Sequence, residues 1–227
     1  MALIWLPMTA MAQTRHEWWT KLNIDIRPGK KWGGSLEMQY RRQANYHSTD
    51  NNVFHYPMAV ILRPWVSYSL HRHWSLLLSP FGFSRSEEVP VAGNISHHTE
   101  LRVSAGLQHI LATRKIVFKS RLLSEARFLE PGKSQFSFQT RIRAQQWAEF
   151  LLLQTSTQTR FSVQLSHEFF VRSERAYTGF DQDRISAALA WAHLGLAWCW
   201  GYQQTVQQHS PHVIQRHQLI FAMRIII

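Results

Sequence analysis

Apolar and polar side chains alternate along almost the whole chain. In Trp18-Trp19-Thr20-Lys21-Leu22-Asn23-Ile24-Asp25-Ile26 the even positions are largely apolar, and Lys21, Asn23 and Asp25 take odd ones. Gly34, Leu36, Met38 and Tyr40 oppose Ser35, Glu37, Gln39 and Arg41, and Val60, Leu62, Val66, Tyr68 and Leu70 enclose Arg63, Ser67 and Ser69. The same interleaving recurs in Leu101–Gln108, Phe136–Arg143, Phe161–Val171 and Leu219–Ile225. Successive side chains of a strand point to opposite faces, so each run predicts a strand with one greasy and one wet face.

The connections predict how these strands join. Arg27–Lys30, His71–His73 and Leu111–Arg114 read as short turns. They take turns with longer polar segments at Asn45–Asn52, Ser84–Ser96 and Gln204–His212. Short turns at one end and long loops at the other describe an up-and-down antiparallel meander. Helical periodicity is scarce, which argues against βαβ units. About eleven strands can be counted. Bacterial outer-membrane barrels usually have an even number with both ends on the periplasmic side, so the expectation is ten to twelve strands, with residues 144–160 and the N-terminal edge as the places to gain or lose one.

Alternation alone also suits a soluble sheet, but three features favour a transmembrane β-barrel. Many runs reach about ten residues, the length a tilted strand needs to cross the hydrocarbon layer. Trp32, Trp74 and Trp191 lie beside short turns, where indole rings would form an interfacial girdle. The wet face carries full charges, which in a membrane barrel point inward and must pair or meet water. One stretch competes: Ile185–Gln204 has no Asp, Glu, Lys or Arg and could be read as a membrane-spanning helix. Within it, however, large residues alternate with small ones on both sides of His193-Leu194-Gly195, the pattern of a hairpin.

Composition narrows the classes. The 227 residues are 45% hydrophobic and 13% aromatic, with ten Trp, yet only 17% are charged. That apolar content excludes a disordered chain, and a mean hydropathy of −0.26 excludes a bundle of membrane-spanning helices. A single Cys, Cys199, excludes an internal disulfide framework or a Cys-cluster metal site and reads as a buried, inert thiol. At the start, Ala10-Met11-Ala12 before Gln13 fits the small-x-small pattern of a signal-peptide cleavage site. Residues 1–12 are therefore expected to be the truncated remnant of an export signal, or alternatively an ordinary buried strand, and residues 13–227 a single barrel domain.

Four segments resemble a bacterial family. Arg121-Leu-Leu-Ser-Glu125-Ala-Arg127-Phe128 followed by Arg141-Ile-Arg143 is similar to the R-x-x-x-E-x-R-F and R-x-R pair of the uncharacterised family called domain of unknown function 2490. His167-Glu168-Phe169-Phe170 resembles its strand with an inward Glu, and Phe180–Arg184 resembles its F-x-x-x-R segment. The resemblance spans most of residues 16–227 and is sharpest at about 115–205. It implies an outer-membrane barrel of a Gram-negative envelope with no established activity. The closing Ile225-Ile226-Ile227 departs from the terminal aromatic common in such barrels.

Parity places Arg121, Glu125 and Arg127 on one face of one strand and Arg141 and Arg143 on one face of the next, with Glu168 and Arg184 on following strands. Inside a barrel they form a cross-strand ladder richer in Arg than Glu. It either staples the lumen through Arg–carboxylate pairs or lines a narrow, anion-favouring pore. The thirteen His give no third ligand at a metal spacing, so solvated His71, His73, His97, His98, His209 and His212 are expected, without metal or cofactor. Ser166 and His167 are strand neighbours and face opposite sides. No nucleophile elbow, phosphate-binding loop or paired-carboxylate motif is present. The formal charge of +11 is spread over many strands, which fits an anionic lipid surface better than nucleic acid. The expectation is a non-catalytic outer-membrane barrel, structural or a narrow pore, in contact with outer-membrane lipid and lipopolysaccharide and inserted by the barrel-assembly machinery. The alternatives are a soluble exported barrel of lipocalin-like architecture and a membrane-embedded enzyme acting on lipid.

Overall fold

In a computed structural model, residues 13–26, 29–45, 52–88, 96–130, 136–155, 159–174, 177–209 and 212–227 are described. The alternating runs become eleven strands, with no helix among these residues. They are β1 Gln13–Ile26, β2 Trp32–Gln43, β3 Tyr56–Ser69, β4 Trp74–Glu88, β5 Ser96–Ala112, β6 Ile116–Glu130, β7 Ser137–Gln154, β8 Thr159–Glu174, β9 Tyr177–His193, β10 Leu196–His209 and β11 His212–Ile226. Each strand pairs antiparallel with the next, and β1 closes the barrel against β11. The expected even count does not hold. With eleven strands running alternately up and down, β1 and β11 point the same way, so the seam is a parallel ladder from Gln13↔Ile214 to Asp25↔Ile226. The start of β1 and the finish of β11 consequently lie at opposite ends of the barrel.

The short connections after β1, β3, β5, β7 and β9 gather at one end, hereafter the turn end, and the connections after the even strands gather at the loop end. Two of the predicted long loops shrink. Ser84–Glu88 continue β4, and β10 runs to His209 with β11 resuming at His212. Their polar residues pair across the sheet, Thr205 with Arg216 and Gln203 with Gln218, so polarity there marks a lumen face and not a loop. The uncertain stretch 144–160 is mostly β7, with a register shift between Leu151 and Leu153.

Ile185–Gln204 forms the β9–β10 hairpin and not a helix. Leu194 and Gly195 turn the chain at φ of 47° and 79°. Two successive left-handed residues give the turn whose twist matches that of paired strands. Small residues let neighbouring strands approach: an added Cβ on Gly201 would lie 2.7 Å from the Ala188 Cβ, and one on Gly106 would lie 2.0 Å from the Leu122 carbonyl oxygen.

Polarity is inverted relative to a water-soluble barrel. On the outer wall Leu189 is 65% exposed and Leu122 56%, and Val60, Phe138 and Ile185 are also open. Inside, Glu17, Gln43, Glu125 and Gln218 are buried. On most strands the apolar outer face runs for four or five alternate positions from the turn end, which is about the span of a bilayer core. It stops at His16, Arg85, Asp183, Gln204 and His217.

Candidate functional site: the charged lumen

Strand parity sends the charged residues of neighbouring strands inward, where they meet in two clusters. In the larger one, Glu125 accepts from Arg141 Nε at 2.7 Å and pairs with its Nη2 at 2.6 Å, while Arg102 Nη1 lies 3.4 Å away. Arg141 also reaches Asp181 at 3.3 Å. Arg102 and Arg127 both donate to Glu100, the latter through Nε at 2.8 Å and Nη2 at 2.9 Å. Such two-pronged pairing holds guanidinium and carboxylate in one plane. A branch joins Arg143 and Gln145 to Glu168, each at 2.7 Å, with Arg184 at 3.6 Å from the second oxygen.

The second cluster crosses the parallel seam. Glu17 of β1 accepts from Arg216 at 2.7 Å and Gln218 at 3.1 Å on β11, and from its own neighbour Trp19 at 2.9 Å. Gln218 in turn accepts from Gln203 and Thr205 of β10. Between the clusters sit two large rings, Trp19 and Phe170, both buried. Arg41 lies 3.6 Å from the Trp19 ring centre, and Arg184 approaches both rings, at 5.7 Å from Trp19 and 4.7 Å from Phe170. Arg184 therefore spans from the β8 side to the β1 side of the lumen.

Of the residues singled out from the sequence, Glu125, Arg127, Arg141, Arg143, Glu168 and Arg184 all join these networks. Arg121 does not. Its Nε donates to Gln108 at 2.7 Å, and it pairs with no carboxylate among the described residues. Glu100, Arg102, Glu17 and Arg216 were missed although the same parity rule selects them. Asp181 was hidden by an irregularity: the register shifts between Phe170 and Val171, so Asp181 is an extra residue and turns inward beside Gln182. Trp19 and Phe170 carried no signal, because apolar rings on a wet face look like pattern errors.

Trp32, Trp74 and Trp191 are all exposed on the outer wall at the turn end. Trp32 packs on Tyr68, Trp74 on His109, and Trp191 on Phe161. The histidines gather no metal-binding group among the described residues. His73 bonds the Ile110 carbonyl and His97 faces Glu87. Ser166 turns inward to Ser186, whereas His167 turns outward to Asp183 at 2.6 Å, so the two neighbours take separate sides. Cys199 is half-buried, its Sγ 3.8 Å from Gln164. Residues 1–12, the expected export-signal remnant, lie outside the described residues.

Toward the turn end, beyond the two charged clusters, the lumen opens into a vestibule of about 620 Å³. Lys119, Arg121, Trp147, Glu149 and Arg160 line it, and residues 193–197 form part of its mouth.

A family model described as a protein of unknown function (DUF2490) matches residues 16–219. Among solved structures, LpxR from Salmonella typhimurium is similar in fold, with a TM-score of 0.50 at 5% identity, covering 85% of this chain and 83% of that one. A search of curated proteins returns no match. The fold is thus of the outer-membrane barrel type. The likeness corrects one expectation. LpxR is an enzyme, so a barrel of this shape gives no ground for reading the chain as non-catalytic.

Proposed function

The chain belongs to the DUF2490 family, and from that premise we propose that it is an integral outer-membrane β-barrel whose lumen is held shut across its middle by the Arg–carboxylate network. The observation that carries this reading is the inversion of polarity: exposed Leu, Val and Phe outside, and carboxylates such as Glu125 and Glu17 at 0% exposure inside. A soluble barrel would place the same faces the other way round. Lipid is then the solvent of the outer wall, and outer-membrane lipid and lipopolysaccharide are its contacts. Insertion falls to the barrel-assembly machinery.

Short turns of such barrels face the periplasm. This orientation puts Trp32, Trp74 and Trp191 at the periplasmic interface as a girdle and opens the vestibule to the periplasm. In the middle of the lumen, Arg surplus does not produce a conducting path. Arg102, Arg127, Arg141, Arg143, Arg184 and Arg216 pair with Glu100, Glu125, Glu168, Asp181 and Glu17, and Arg41 and Arg184 lie against the faces of Trp19 and Phe170. The network therefore acts as a staple and plug.

Two measurements test this. Membranes washed with alkaline carbonate should retain the protein, and the unheated protein should migrate differently from the boiled one on a denaturing gel; protein released by carbonate refutes the membrane reading. In planar bilayers the wild type should give no steady conductance, and a stable open channel would refute the plug.

A further inference from the structure

We infer that the turn-end vestibule is a binding site for a small aromatic anion, a phosphate monoester or carboxylate carried on a ring. The inference rests on the proposed function for the closed far side of the cavity and for the side from which the ligand arrives. Lys119, Arg121 and Arg160 line the cavity, and none of them makes an ion pair among the described residues. The remaining guanidinium there, Arg224, already pairs with Asp25. The carboxylate in the cavity lining, Glu149, accepts a hydrogen bond from Ser162 at 2.6 Å. Three cations thus share a pocket with one carboxylate whose own oxygen is partly engaged. This contrasts with Glu100, Glu125, Glu168 and Glu17 of the plug, each of which accepts from at least one guanidinium.

Position makes the contrast informative. Lys119 and Arg121 are alternate residues of β6 and point the same way, and their cross-strand partners on β7 are Trp147 and Gln145. The Lys119 ammonium lies 4.7 Å from the centre of the Trp147 ring, so the ring and two cations form one wall. An aryl ligand laid against that wall would place its charge toward Lys119 and Arg121, while the Gln145 and Gln164 amides offer further donors at the cavity lining. The volume of about 620 Å³ falls within the range of small-molecule sites. The plug closes the far side, so an entering anion is held and not passed on. Lys119 and Arg121 are partly buried without a paired counter-charge, which is costly, and a bound anion supplies the missing charge.

Calorimetry on the full barrel in a non-ionic detergent, with phenyl phosphate as the probe, provides the test. Phenyl phosphate should bind saturably, and phenol should give no saturable heat. Lys119→Gln and Arg121→Gln should each weaken binding about tenfold, which corresponds to the loss of about 1.4 kcal/mol, with the folded gel band retained. Trp147→Leu should bring phenyl phosphate down to the affinity of inorganic phosphate. Long-chain phosphatidate in the micelle carries the same phosphomonoester on a lipid and should not displace the probe. Equal heats from phenol and phenyl phosphate, affinity indifferent to both cation substitutions, or displacement by phosphatidate would each overturn the assignment. A protein that binds the probe yet washes out of membranes would keep this site and sink the membrane reading, so the two fail separately.

Discussion

Glu125→Gln is the sharpest perturbation of the lumen. Glu125 is fully buried and bonds Arg141 at 2.6 and 2.7 Å, with Arg102 at 3.4 Å. Removing one member of a buried pair costs about 3–5 kcal/mol, because the remaining charge stays desolvated. Two features pull the expected value to the low end. Gln keeps one acceptor oxygen, and Asp181 and Glu100 still face the stranded guanidiniums. The expected loss is therefore about 3 kcal/mol. With a urea slope of about 1–3 kcal/mol per molar, the unfolding midpoint should fall by about 1–3 M. The measurement is urea titration in lipid vesicles, followed in parallel by Trp fluorescence and by gel mobility of unheated samples. Arg141→Gln alone should be similarly damaging, and the double variant should lose less than the sum, with about 2 kcal/mol of coupling between neighbours. Coincident midpoints for wild type and Glu125→Gln, or strict additivity in the double variant, would refute the view that this pair holds the barrel together.

Other expectations follow from the wall and its close approaches. Leu189→Arg, at an outer position 65% exposed, should cost about 2–4 kcal/mol in vesicles if that position lies near the bilayer midplane; a barrel facing water there would lose at most about 0.5 kcal/mol, and an unchanged midpoint would count against a lipid-facing wall. Gly106→Ala should abolish the folded gel band, because the new Cβ would sit 2.0 Å from the Leu122 carbonyl oxygen, whereas Gly29→Ala, with nothing within 4 Å, should leave it intact. Equal folding of these two variants would show that β5 and β6 are not packed this closely.

The strands were legible because a pleated chain with an apolar outer wall on one side and a polar lumen on the other must alternate, and alternation survives in the sequence however the strands are later arranged. Six of the seven residues chosen for the charge ladder meet for the same reason. The seventh, Arg121, shares their parity, but parity gives a face and not a height, and Arg121 sits toward the vestibule. What escaped depends on information no local window holds. Glu17 and Arg216 are 199 residues apart and meet only after closure. Asp181 turns inward because an irregular register breaks the period of two. The polar ends of β4 and β10 resembled loops since hydropathy marks the apolar outer band, whereas strand pairing extends beyond it. The even strand count was a rule about other barrels, and a single parallel ladder removes its basis.

That parallel ladder bears on how the barrel finds its shape. Every other neighbouring pair is brought together by a connection of at most a few residues up to about a dozen, but β1 and β11 are separated by nearly the whole chain, so their meeting carries the largest loop-closure entropy. By that entropy the seam is expected to close last. A slip of one residue would swing Glu17 out of the lumen and into the apolar outer row, away from Arg216 and Gln218. The wrong register then sets a bare carboxylate in an apolar row, while the right one buries it among three donors. Glu17 thus works as a proofreading catch: the final zip of the cylinder completes only when first and last strands are aligned.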